Sequence, residues 1–190
     1  MGASTTAQLI TRAKAENGFN NSGISTDSQW VDFFNDALRD LVDDVKIERL
    51  GTLSFVAGTR EYDLPDDYYA LVILNDGNRT RVTKRRNYDQ EYPQGYWIFN
   101  RGGEYIIDLY GYSSSQTFSL MYQAYPTTLT EAGKTTEYPE VPSVGEKALI
   151  YYAIMKALRN NSQSEWKDYA ALYEEERKKI RNAVARGGGV

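Results

Sequence analysis

Carboxylates are the most chemically suggestive residues of this chain. Asp32, Asp36, Asp40 and then Asp43 or Asp44 recur at three- and four-residue intervals, a spacing that stacks side chains along one face of a helix. Such a row is either a solvated face, offset by Arg39, Lys46 and Arg49, or a wall turned toward a basic neighbour or a passing polyanion. A second group, Asp63, Asp66 and Asp67, gathers around Pro65. Paired acids or a cation site would use such residues, but Asp beside Pro is ordinary turn chemistry and the ligand spacing of a calcium loop is absent. Lys84, Arg85 and Arg86, preceded by Arg79 and Arg81, make a basic run, and Tyr88, Tyr92, Tyr96 and Trp97 follow it. That pattern suits a stacking surface for nucleic acid, a charged edge strand that blunts aggregation, or a subunit contact with an acidic neighbour.

The chemistry that is missing narrows the field further. The 190 residues include neither Cys nor His. There is thus no thiol nucleophile, no Ser-His-Asp triad, no imidazole base and no zinc site built on these ligands. Neither Gly102-Gly103 nor the glycines at 187–189 precede the Lys-Ser/Thr of a phosphate loop. No catalytic, cofactor-binding or metal-binding set emerges, and the reading is of a non-enzyme. With 22 basic against 26 acidic residues the net charge is −4, which disfavours coating nucleic acid by bulk electrostatics. The longest apolar runs fall far short of the ~20 residues of a membrane helix, and residues 1–15 lack a signal-peptide core. Of the aromatic residues, 16 are Tyr, a composition that suits subunit interfaces and half-buried sheets.

These residues have to be positioned by three blocks. Thr5 or Thr6 can cap a short helix with Leu9, Ile10 and Ala13 on one side, ended by Asn17-Gly18. Thr26 and Gln29 form a capping-box pattern before a long helix over residues 27–46, with Trp30, Phe33, Phe34, Ala37, Leu38, Leu41 and Val45 at helical spacing. The period then changes. About seven short strands are expected, near residues 53–56, 61–64, 68–74, 79–84, 96–99, 104–110 and 117–125. Hairpin turns are expected at 57–60, 75–78 and 100–103, and antiparallel pairing throughout, giving a small sandwich or barrel. A polar, Pro-bearing connection of mobile appearance leads to Ser143-x-x-Glu146, a second capping-box pattern. Behind it lies a helix with Leu149, Ile150, Tyr152, Ala153, Ile154, Ala157 and Leu158 on its apolar stripe. A last helix buries Trp166, Tyr169, Ala170, Tyr173, Ile180 and Val184, and pairs Glu174 with Lys178 and Glu175 with Lys179. The expected architecture is α+β: N- and C-terminal helix pairs packed as one bundle with an antiparallel β module inserted. The divisions are 1–49, 50–126, a linker at 127–142, 143–186 and a flexible tail at 187–190.

Three passages resemble the bacteriophage head-to-tail adaptor (connector) proteins, in the variety with a β module between two helix pairs. They are the long amphipathic helix leading to Tyr62-Asp63-Leu64-Pro65-Asp66-Asp67-Tyr68-Tyr69, the strand ending Leu120-Met121-Tyr122-Gln123-Ala124-Tyr125-Pro126, and the helix starting Glu146-Lys147-Ala148-Leu149-Ile150-Tyr151-Tyr152-Ala153 before the charged helix at Trp166. The resemblance implies a structural virion protein of the neck, assembled in the host cytoplasm and without cofactor. It implies a homo-oligomeric ring, usually of twelve copies, beneath the portal protein. Such a ring extends the channel for genomic DNA and offers a platform to the next tail, stopper or nozzle protein. Carried onto this chain, the C-terminal helix makes the portal contact, with Trp166, Tyr173, Arg177, Arg181, Arg186 and Val190 as candidates. Asp32, Asp36, Asp40 and Asp43 are candidates for the channel wall. Arg85, Arg86, Tyr92, Tyr96 and Trp97 are candidates for a subunit or tail interface. Two other readings use the same residues: a tail-associated carbohydrate or receptor-binding module working through Tyr and Trp on the sheet, and an enzyme using two carboxylates.

Overall fold

The computed structural model describes residues 3–16, 26–84 and 94–186. It is α+β, with antiparallel sheets in the middle of the chain and helices at both ends. The chain divides into two compact units, Met1–Ile47 together with Pro126–Val190, and Glu48–Tyr125.

The first unit is helical. α1 (Thr6–Glu16) buries Leu9, Ile10 and Ala13, and α2 (Asp27–Asp40) buries Trp30, Phe33, Phe34, Ala37 and Leu38. The capping box forms: Gln29 N–H donates to the Thr26 side chain, and Thr26 N–H donates to the Gln29 side chain at 2.8 Å. The helix expected over 27–46 is interrupted at Leu41 and continues as α3 (Val42–Val45), closed by Lys46 in the left-handed region at φ 54°. α4 (Glu146–Asn160) is the central element, packed against α1, α2 and α5 (Trp166–Ala185). Of its stripe, Ala148, Leu149, Ile150, Ala153, Ile154, Ala157 and Leu158 are buried, while Tyr152 is half-buried. A helix with small residues interleaved along its apolar face lets several neighbours approach closely.

Two expected features of this unit form differently. The Ser143–Glu146 box is not made: a 3-10 turn (Ser143–Gly145) precedes α4 and no side chain caps it. Glu146 instead accepts from Ser4 N–H at 2.7 Å, Ser4 Oγ at 2.9 Å and Arg12 at 2.7 Å, holding the start of the chain to the bundle. The long connection is held as well. Asn35 donates to the Leu129 carbonyl at 3.0 Å and accepts its N–H at 2.8 Å, and both Leu129 and Val141 are buried. Carbonyls of Glu137 and Lys134 accept the Thr6 and Ala7 N–H groups at 3.0 and 2.8 Å, so the connection caps α1. The last helix buries Tyr173, Glu176 and Ile180, while Trp166, Tyr169, Ala170 and Val184 are half-buried.

The second unit holds two three-stranded antiparallel sheets. Its strands are β1 (Glu48–Phe55), β2 (Glu61–Asp63), β3 (Tyr68–Asn75), β4 (Gly95–Arg101), β5 (Glu104–Tyr110) and β6 (Gln116–Ala124). Their orders are β1-β6-β3 and β2-β5-β4. The sheets meet through Phe55 with Tyr62 at 5.8 Å and Tyr68 with Tyr105 at 5.1 Å, over a core of Phe118, Leu74, Leu120, Ile107 and Leu109.

The expected hairpin at 57–60 does not form. β1 pairs with β6 along eight residues, and β2 crosses to pair with β5 in the other sheet. The eight-residue ladder buries Leu53 and Phe55 against Phe118, an outcome that turn chemistry cannot report because the partner is 60 residues away. The hairpin at 100–103 does form, with Gly102 and Gly103 at positive φ and the Asn100 side chain accepting Gly103 N–H. Residues 79–84 are not a strand. Asp76 Oδ1 accepts from Asn78 and Thr80 N–H, and only single bridges, Asn75 to Arg81 and Lys84 to Tyr96, join this stretch to β3 and β4.

Candidate assembly surfaces

Part of the acidic stripe on the second helix is ion-paired across the bundle. Asp36 meets Lys156 of α4 at 3.3 Å. Asp40 accepts the Tyr173 hydroxyl of α5 and lies 3.3 Å from Arg177. Asp44, only 7% exposed, accepts Arg177 Nε and, at 2.6 Å, Arg181 Nε. The three carboxylates at i, i+4 and i+8 are thus matched by three cations of the C-terminal helices. Burial works to raise the Asp44 carboxyl, but hydrogen bonds from Arg181 and Arg177 and their charges outweigh it and hold it below its ordinary value. Burial first, and then the bond to Asp40, push the Tyr173 hydroxyl well above the usual phenol range.

Sequence spacing therefore found the stripe but not its partners, which come from more than a hundred residues away. Asp44 continues it on the buried side, whereas Asp32, Asp40 and Asp43 are exposed. Of the residues proposed for a portal contact, Tyr173 and Arg177 turn inward to Asp40 and Asp44, and Arg181 does so in part. Trp166 is half-buried with the Arg159 guanidinium 5.8 Å from its ring, Arg186 is exposed, and Val190 lies outside the described residues. In the β module Tyr96 is buried, and that burial raises its hydroxyl pKa; Trp97 is half-buried with Lys84 Nζ 5.5 Å from its ring. Arg85, Arg86 and Tyr92 lie outside the described residues.

Sequence reasoning missed the Glu146 anchor and a second junction, where Lys14 and Lys134 both donate to Asp27 at 2.7 and 2.6 Å. Asp27 was legible as a helix-start acid, but no local signal announces Lys134. The turn reading of 63–67 holds at Pro65, whose carbonyl accepts Tyr68 N–H at 2.8 Å. Asp67 pairs with Arg49 at 2.6 Å and accepts the Tyr122 hydroxyl, while Asp63 and Asp66 stay exposed beside Glu104.

Among the described residues no group of acids is placed to hold a metal ion, and no helix is long and apolar enough to cross a membrane. What these residues build is ion-paired helix packing and charged, tyrosine-edged clefts. The family of SU10 adaptor proteins matches residues 4–189, and the chain belongs to that family. It is thus a structural bacteriophage adaptor. No curated protein matches the chain.

Proposed function

We propose that this protein is the head-to-tail adaptor of its phage. Copies form a closed ring, about twelve in number, beneath the portal protein, extend the channel for genomic DNA, and give the next tail, stopper or nozzle protein a platform. The family match over nearly the whole chain carries this reading. The ion-paired helical unit supports it, because an element that transmits load between portal and tail needs a rigid subunit. In this reading α5 and the residues after it contact the portal through Trp166, Arg181, Arg186 and Val190. Asp32 and Asp43, both exposed, line the channel. An acidic wall repels DNA and keeps it from sticking as it moves.

Native mass spectrometry of the purified protein, alone and with its cognate portal, tests the proposal. A ring of about twelve copies, formed alone or on the portal, is expected. A stable monomer or trimer that ignores the portal overturns the reading.

A further inference from the structure

Among the described residues of the β module, ion pairing leaves the charges sorted by sign. Arg49, Arg60 and Arg101 are matched by Asp67, Asp108 and Glu61. Asp76 is taken up by its own turn. Among the described residues, Arg79, Arg81 and Lys84 then make no ion pair, and neither do Glu48, Asp63, Asp66 and Glu104.

Two of the three unmatched cations lie together. Arg81 and Lys84 rim a groove of about 520 Å³ beside Tyr96, floored by Val72, Ile73, Leu74 and Val82, with no carboxylate among the described residues of its lining. Arg79 is held at φ 62° by the Asp76 turn just before it. A non-glycine residue is uncommon in that region, and Arg79 precedes Arg81 by two residues. Three of the unmatched carboxylates lie together as well. Asp63, Asp66 and Glu104 line a second cleft, whose rim carries Tyr105 at 37% exposure.

Sheet topology puts the two clefts at opposite edges of the second sheet. In the order β2-β5-β4, Asp63 ends one edge strand, and the basic groove lies outside the other, where Lys84 bridges Tyr96. Asp63 pairs with Ile106 and Tyr96 with Leu109, so the clefts stand at diagonal corners, roughly 10 Å apart across the sheet and roughly 10 Å along it. Complementary surfaces on opposite sides of one body allow head-to-tail contact that continues from copy to copy and closes when the rotation permits.

We propose that the basic groove of one copy receives the acidic cleft of the next, with Arg79, Arg81 and Lys84 facing Asp63, Asp66 and Glu104, and Tyr105 covering the aliphatic floor. The occupant is a second copy of this chain, and the inference rests on the ring reading above.

The absence of native Cys makes a direct test clean. Asp66→Cys combined with Lys84→Cys, treated with a short bismaleimide in the presence of portal, is expected to give a covalent ladder ending at the full ring. Either single variant is expected to stay monomeric on a denaturing gel. Charge reversal supplies the second arm. Arg81→Glu with Lys84→Glu, and separately Asp63→Lys with Asp66→Lys, should each weaken assembly at least tenfold, and mixing the two proteins should restore it. Rings that form without a ladder and withstand both reversals overturn this inference and leave the ring reading standing. A wild-type protein that never assembles, even with portal, overturns both. Loss of binding to a short DNA duplex by Arg81→Glu with Lys84→Glu, with assembly intact, also overturns it and assigns the groove to a polyanion.

Discussion

Asp44 shows how one side chain can decide a packing arrangement. Two arginines of α5 converge on a carboxylate that is almost fully buried, so the charges neutralise each other only if α3 and α5 sit in the observed register. Removing one member of a buried pair leaves the others without compensation. Arg177 and Arg181 keep solvent access, so Asp44→Ala is expected to lower the unfolding free energy by about 1 to 2 kcal/mol, read from urea melts at neutral pH. The pH dependence has a definite sign. The folded Asp44 carboxyl titrates below its ordinary value of 3.8, so its contribution is complete above that value and is lost as pH falls through the lower, folded one. The stability gap between wild type and Asp44→Asn should be constant from about pH 6 to 8 and shrink below about pH 4. A gap that is unchanged at pH 3 would show that Asp44 acts through shape rather than charge.

At the scale of elements, the connection at 126–142 is hydrogen-bonded to both α1 and α2. Its carbonyls cap α1, and its Leu129 is held at both backbone groups by Asn35. Asn35→Ala would strand two partly buried backbone groups, at a cost of about 2 kcal/mol. Amide exchange should speed up around residues 127–131 and at the start of α1, with α4 unaffected; uniform acceleration would mean global destabilisation instead. The same segment marks where sequence stopped being informative. The amphipathic helices could be read directly because a period of 3.6 is a local property, and Thr26 with Gln29 formed its box as spaced. Pairing is not local. The turn at 57–60 has the residues of a hairpin, yet β1 found its partner in β6, and Glu146 left its own helix for Ser4 and Arg12. The candidate surfaces divide in the same way. The basic run was visible as a run, whereas its acidic counterpart joins Asp63 and Asp66 to Glu104, some forty residues on, through the pairing of β2 with β5.

The whole molecule is organised by where the chain enters and leaves the β module. Glu48 and Gln123 are cross-strand neighbours in the first sheet, so entry and exit are separated by about 5 Å. A body whose ends lie side by side can be inserted into another without forcing that host apart, since closing so short a gap costs little chain entropy. The helical unit has its own core, from Leu9, Trp30 and Phe34 through Leu149 and Ile154 to Ile180, all nearly inaccessible to solvent. Its ion pairs, from Asp36 with Lys156 to Asp44 with Arg181, also lie wholly within that unit. Replacing residues 48–125 by a short Gly-Ser linker should therefore leave a helical protein that unfolds cooperatively and still loses stability on Asp44→Ala. The module alone, 48–125, should keep the β1-β6-β3 sheet, because its eight-residue ladder needs no helix to complete it. Circular dichroism melts of both pieces decide the matter. If the helical piece melts without a transition, the inserted module is part of what holds the bundle, and the two units fold as one.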